Sequence, residues 1–177
     1  MENKLPNRKH LRLTEFDYSS PGYYFVTICT LNKIEWFGEI FGASVILNAK
    51  GKIVEDCWFD LQKHYSNCEL DYYVIMPDHF HGIVIITEQD IISRAGSEIY
   101  PNKNRNHGLS EIIRAFKSFS ARRINLVSES TGKFQWQKSF YDRVIRNEKE
   151  LYRIRKYIQE NPLKKELEKL PENLGGL

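Results

Sequence analysis

The sequence predicts an α+β fold: a single domain with an antiparallel sheet and helices packed on it. Three observations support this. Short strands rich in aromatic and β-branched residues recur along the chain. Helical stretches with a 3.6-residue apolar period separate them. Their order, strand–helix–strand and again strand–helix–strand, is the split βαβ pattern of a ferredoxin-like sheet. The chain has 177 residues, 41% hydrophobic and 28% charged, which suits one globular domain with a real core rather than a disordered segment. A net charge of +3 is too small to imply a nucleic-acid partner by itself, so local clusters must carry that argument.

Residues 1–22 form a polar, basic arm containing Arg8, Lys9 and Arg12, closed by the loop signal Ser19-Ser20-Pro21-Gly22. A solvated tail and an arm that touches nucleic acid are both compatible with this composition. The first strand is expected over Tyr23–Leu31, and a small hairpin over Glu35–Ile40 and Ser44–Leu47. Asn48 caps a predicted helix running to Lys63. Its residues Ile53, Val54, Cys57, Trp58 and Leu61 form one apolar stripe. Strands follow at Leu70–Met76 and His79–Thr87. The run Ile83-Val84-Ile85-Ile86 fills both faces of the second, which places that strand centrally.

From about 88 to 108 the periodicity is lost, and a long mobile loop is expected, with His107 as an ordinary loop histidine. Ser110 is read as the cap of a helix to Leu126, with Ile112, Ile113, Phe116, Phe119 and Ile124 buried. Arg114, Lys117, Arg122 and Arg123 of that helix are then available to solvent or phosphate. Trp136–Ile145 reads as a bent, partly extended segment. Its Trp136, Phe140 and Tyr141 suit either the core or stacking on unpaired bases. Asn147 and Glu150 resemble a capping box at the start of the last helix. Pro162 disfavours helical geometry at Asn161 and is expected to end it there. The domain is thus expected over 23–162, with a C-terminal tail over 163–177.

Candidate chemistry sits at Pro77-Asp78-His79-Phe80-His81. Side chains alternate along a strand, so His79 and His81 share a face and Phe80 points the other way. Two imidazoles on one face can hold one cation. The same triplet also fits two strand-end histidines without a ligand, and Asp78 reads as a turn residue. Late in the chain Tyr157 and Asn161 stand four apart, on one edge of the final helix.

His79-Phe80-His81, paired with the helical Tyr157-x-x-x-Asn161-Pro162, resembles the signature of the single-tyrosine HUH endonucleases. The match is specifically to the REP-associated tyrosine transposases of the IS200-like superfamily. Tyr23-Tyr24-Phe25-Val26-Thr27 and Trp136-Gln137 extend the resemblance over roughly residues 8–165. It implies a metal-dependent transposase that cuts and rejoins single-stranded DNA, at hairpin-forming repeats, through a 5′-phosphotyrosine. Tyr157 would be the nucleophile, preferred among ten tyrosines and over Tyr141 because it carries the asparagine one turn on. His79, His81 and Asn161 would hold a divalent ion, magnesium or manganese. Arg8, Lys9, Arg12, Arg114, Lys117, Arg122 and Arg123 would contact DNA. The partner would be single-stranded or hairpin DNA, the protein a monomer or homodimer. Two competing readings are a domesticated hairpin binder without cleavage activity and a phosphodiesterase that uses water.

The three cysteines lack metal-knuckle spacing and are expected to be reduced. No apolar leader or bilayer-length segment is found, so a cytoplasmic, nucleoid-associated bacterial protein is expected.

Overall fold

The computed structural model describes residues 16–88, 107–128 and 132–169. The arm residues Arg8, Lys9 and Arg12, most of the loop expected over 88–108, and the end of the C-terminal tail lie outside the described residues. The elements are β1 (Gly22–Cys29), β2 (Gly38–Phe41), β3 (Ser44–Leu47), α1 (Ala49–His64), β4 (Cys68–Met76), β5 (His79–Ile86), α2 (Leu109–Val127), β6 (Tyr141–Ile145) and α3 (Glu148–Lys169). Four strands form one antiparallel sheet in the order β4-β5-β1-β6, and β2 and β3 pair separately as a hairpin. Setting the hairpin and α3 aside, β1–α1–β4–β5–α2–β6 is the predicted ferredoxin-like order. As its two-sided apolar run requires, β5 is central.

Alternation along β1 and β5 divides the interior into two cores. Tyr24, Val26 and Ile28 of β1 and Phe80, Val84 and Ile86 of β5 face Val54, Cys57, Trp58 and Leu61 of α1 and Ile112, Ile113 and Phe116 of α2. Phe25 and Ile83, on the opposite face, pack with Ile145 and with Ile158 of α3. Thus α1 and α2 cover one face of the sheet and α3 covers the other.

Several local expectations need correction. In the first segment of the hairpin, Trp36 and Phe37 donate their backbone N–H groups to the Pro77 carbonyl, so β2 begins only at Gly38. The α2 cap is Gly108, without a side-chain bond; Ser110 lies inside the helix. Phe119 is 47% exposed and stacks against His64 rather than lying in the core. Ser120 is buried in its stead, donating to the Phe116 carbonyl and accepting from the Trp136 indole N–H. Trp136 is therefore a core residue, Phe140 packs partly buried against the same core, and Tyr141 remains 41% exposed.

Helix α3 does not stop at Asn161. It continues through Pro162 to Lys169, although proline removes the hydrogen bond that the Ile158 carbonyl would accept. Pro162 is buried, and α3 lies alongside β2, β3 and β4, so tertiary packing outweighs the local preference. The Asn48 cap is as expected, its side chain accepting from Lys50 and Gly51. Gly51 does more than weaken the first turn of α1: a Cβ there would fall 2.3 Å from the Phe37 carbonyl oxygen. Cys29, Cys57 and Cys68 are free thiols. No helix among the described residues is long and apolar enough to cross a membrane.

Candidate active site

The Pro77-Asp78 turn delivers His79 and His81 onto the α3 face of β5. Beneath them Phe80 is fully buried, its ring 4.6 Å from Trp58 and 5.1 Å from Phe116. Gly82 makes that packing possible, because a Cβ there would come within 2.8 Å of the Trp58 and Phe80 rings. The two imidazole centroids are 4.7 Å apart, with their planes at 76°.

Each imidazole is anchored through Nδ1. His79 Nδ1 is 2.5 Å from Asp78 Oδ1, and His81 Nδ1 is 2.8 Å from Oγ1 of Thr27, its direct cross-strand partner on β1. The hydrogen bond from His79 holds the Asp78 carboxyl below its ordinary range. His81 is 4% exposed, and burial, followed by the neighbouring His79, pushes its pKa down to about 3. It is therefore a neutral imidazole near neutral pH, the form that binds metals.

Tyr157 of α3 completes the cluster. Its hydroxyl is 3.3 Å from His81 Nε2, and its ring stands edge-on to both His81, at 5.3 Å, and Phe25, at 6.1 Å. Phe25 in turn stacks on His81 at 5.4 Å. Tyr157 is 39% exposed, so the hydroxyl is both held and reachable. The Lys164 ammonium lies 5.7 Å from the Tyr157 ring centroid.

Helix α3 is clamped at both edges of the sheet. At its start Asn147 accepts from the Glu150 N–H, and the Glu150 carboxylate accepts from the Arg146 N–H and pairs with Arg143 of β6 at 2.6 Å. On β4 a register shift between Leu70 and Tyr73 re-aims the chain, and Asp71 meets Arg155 through two nitrogens at 2.6 and 3.0 Å. Arg155 precedes the tyrosine by two residues. Asn161 is half-buried one turn beyond Tyr157 on the same side of the helix.

Tyr141 lies opposite Thr27 on β6, two strands from His81 and so about 10 Å away on the same face. Of the two candidate tyrosines, only Tyr157 is within hydrogen-bond reach of the histidine pair.

The basic residues of α2 are on the other side of the sheet from the histidines. Arg114 and Arg122 are exposed there. The Lys117 ammonium is taken up by the carbonyls of Gln137 and Lys138 at 2.7 and 2.8 Å, with burial lowering its pKa. Arg123 pairs with Asp60 at 3.3 Å and Asp56 at 3.6 Å. Lys117 and Arg123 are thus engaged within the fold, contrary to the expected availability. Among the described residues, Lys164 is a cation beside the Tyr157 ring, paired with Glu160 at 3.3 Å. No site role is legible in the sequence for Lys164, Asp71 or Arg155, nor for Phe25 and Thr27 within the quoted Tyr23–Thr27 motif, because only the register and the side on which α3 packs bring them there.

A metal fits this donor set in kind: two imidazoles held at Nδ1 would offer Nε2, and at His81 an ion would replace the 3.3 Å contact with the Tyr157 hydroxyl. No group of three His, Cys, Asp or Glu side chains converges among the described residues, so the remaining ligands would be amide, phosphate or water oxygens.

A solved REP-associated tyrosine transposase, bound in its own structure to a REP hairpin, superposes with a TM-score of 0.57 at 20% identity, covering 87% of this chain and 72% of that chain. The likeness is one of fold. No family model matches the chain. Over 162 residues it is 34% identical to an uncharacterized protein of Haemophilus influenzae, covering 89% of each, and it belongs to one family with that protein.

Proposed function

We propose that this protein is a metal-dependent, single-strand DNA transposase or endonuclease that cleaves and rejoins DNA through a covalent 5′-phosphotyrosine at Tyr157. The observation that carries the reading is the 3.3 Å approach of the Tyr157 hydroxyl to His81 Nε2, beside a second histidine on the same face. The neighbour of like fold is a transposase bound to a REP hairpin, which supports hairpin-forming repeats as the substrate class.

Tyrosine has an unperturbed pKa of about 10, so roughly a thousandth is phenolate at pH 7. The Lys164 ammonium, paired with Glu160 at 3.3 Å, lies over the ring of the same tyrosine. The phenol oxygen of Tyr157 bonds to phosphorus, the bond from phosphorus to the 3′ oxygen breaks, and the phenolic proton ends on that leaving oxygen. Attack by a 3′ hydroxyl reverses the step, and the conserved phosphodiester energy makes ATP unnecessary. His79, His81 and Asn161 would hold a magnesium or manganese ion, which would supply charge neutralisation at the scissile phosphate. Phe25 and the two ion-paired clamps keep the tyrosine over the histidines. Arg8, Lys9 and Arg12 of the arm, with Arg114 and Arg122, remain candidates for phosphate contacts away from the site.

The test is incubation of the protein with end-labelled hairpin DNA and manganese, resolved on a denaturing gel. A DNA–protein adduct is expected. Binding without nicking would make the protein a hairpin binder, and nicking without an adduct would make water the nucleophile.

A further inference from the structure

Both rings of the histidine pair are held by the same nitrogen. Asp78 holds the Nδ1 of His79, and Thr27 holds the Nδ1 of His81. An ionised carboxylate can only accept, so His79 must carry its proton on Nδ1. At His81 the Tyr157 hydroxyl faces Nε2 and Thr27 faces Nδ1. With the phenol donating to Nε2, the ring proton lies on Nδ1 and is accepted by Thr27 Oγ1.

We infer that Thr27 and Asp78 are positioning residues, which lock both imidazoles in the Nδ1–H tautomer and so leave Nε2 as the ligating atom, the one that at His81 meets the Tyr157 hydroxyl in the metal-free protein. This rests on the proposed function for its purpose, though not for its geometry. The two devices differ in origin. Asp78 acts from the residue before its histidine, within the turn. Its backbone is fixed as well, since its carbonyl accepts from both the N–H and the hydroxyl of the buried Thr30. Thr27 acts across the sheet, and the β1–β5 register brings it to His81. Groups that hold the far nitrogen of a ligand histidine fix both its tautomer and its ring orientation, and their loss typically weakens metal binding about 10–100-fold. Stacking of Phe25 on His81 restrains the same ring by its face but cannot choose the tautomer.

The experiment compares wild type with Thr27→Val, Thr27→Ser, Asp78→Ala and Asp78→Asn. Valine keeps the shape of threonine without the hydroxyl, while serine and asparagine each restore an acceptor oxygen. Two readouts are taken: the imidazole nitrogen tautomers of the metal-free protein by long-range proton–nitrogen NMR, and manganese affinity by titration calorimetry. In wild type both histidines should show Nδ1–H. Thr27→Val should lose that pattern at His81 alone and Asp78→Ala at His79 alone, each weakening manganese binding about 10–100-fold. Thr27→Ser and Asp78→Asn should recover most of both. An Nε2–H pattern at His81 in wild type overturns the inference, as do unchanged tautomers and unchanged manganese affinity in Thr27→Val. If wild type binds no manganese, the metal reading of the site fails by itself, and the tautomer measurement still decides the roles of Thr27 and Asp78. A variant that fails to fold is identified by its amide spectrum, and the serine and asparagine variants then carry the comparison: retained Nδ1–H patterns support the inference, and lost patterns overturn it.

Discussion

The Tyr157 hydroxyl lies 3.3 Å from Nε2 of His81, joining two residues 76 positions apart on the side of the sheet that α3 covers. Substitution of Tyr157 by phenylalanine removes one oxygen and almost no volume. The variant should bind hairpin DNA like wild type, keep its metal affinity within a few-fold, and form no adduct on a denaturing gel. Tyr141→Phe should still form it, because that ring is two strands away. An adduct that survived in Tyr157→Phe and vanished in Tyr141→Phe would transfer the nucleophile to β6.

The histidines make few of the contacts that hold β5 in place, since Phe80, Val84 and Ile86 anchor one face and Ile83 the other. His79→Ala should abolish cleavage and manganese binding while costing little stability. His81→Ala should abolish both too, with a larger fall in Tm because that ring is buried against Phe25. Wild-type cleavage by either variant in the presence of metal would remove the histidines from the chemistry.

Gly82 is needed for packing. In Gly82→Ala the new methyl meets the Trp58 and Phe80 rings, neither of which has room to yield in a closed core. Overpacking of this kind typically costs about 1–3 kcal/mol. Thermal unfolding should show a Tm lower by several degrees, at about 2–4 °C per kcal/mol for a chain of this size. An unchanged Tm would mean that the two rings shift more freely than their contacts indicate.

Glu150 should make stability depend on acid. The Arg146 N–H and, after it, the Arg143 guanidinium hold its carboxyl below the ordinary glutamate value. A depressed folded pKa means that the unfolded chain binds more protons, so this contribution is fully present above the unfolded value and is lost as pH falls through the folded one. Between about pH 5 and pH 3, Glu150→Gln should therefore lose less stability than wild type in denaturant titrations. Parallel pH profiles would show that the α3 clamp does not depend on this charge.

Salt dependence separates the cations on the two sides of the sheet. If DNA crosses the α3 side, Lys164→Gln should reduce the slope of log affinity against log salt by about 0.7, the value for one single-strand phosphate contact. Arg114→Gln and Arg122→Gln, on the α2 side, should change it less. The reverse ranking would place the DNA over α2.

The chain carries its periodicities openly, and these determined the order of strands and helices. They also determined the shared face of His79 and His81, the burial of Phe80 between them, and the one-turn spacing of Tyr157 and Asn161. Each is a consequence of backbone geometry over a few residues, so local reading suffices. Other features depend on burial summed over the whole sheet. That sum set the β1–β5 register, which puts Thr27 behind His81, and it put α2 and α3 on opposite faces, which kept Lys117 and Arg123 away from the histidines and brought Lys164 to the Tyr157 ring. It also carried α3 through Pro162, where the packing around a buried ring outweighs one lost hydrogen bond. Which tyrosine meets the histidines was decided in the same way, because a contact across 76 residues is set by the packing of Ile158 on Phe25 and Ile83 and has no local period to announce it.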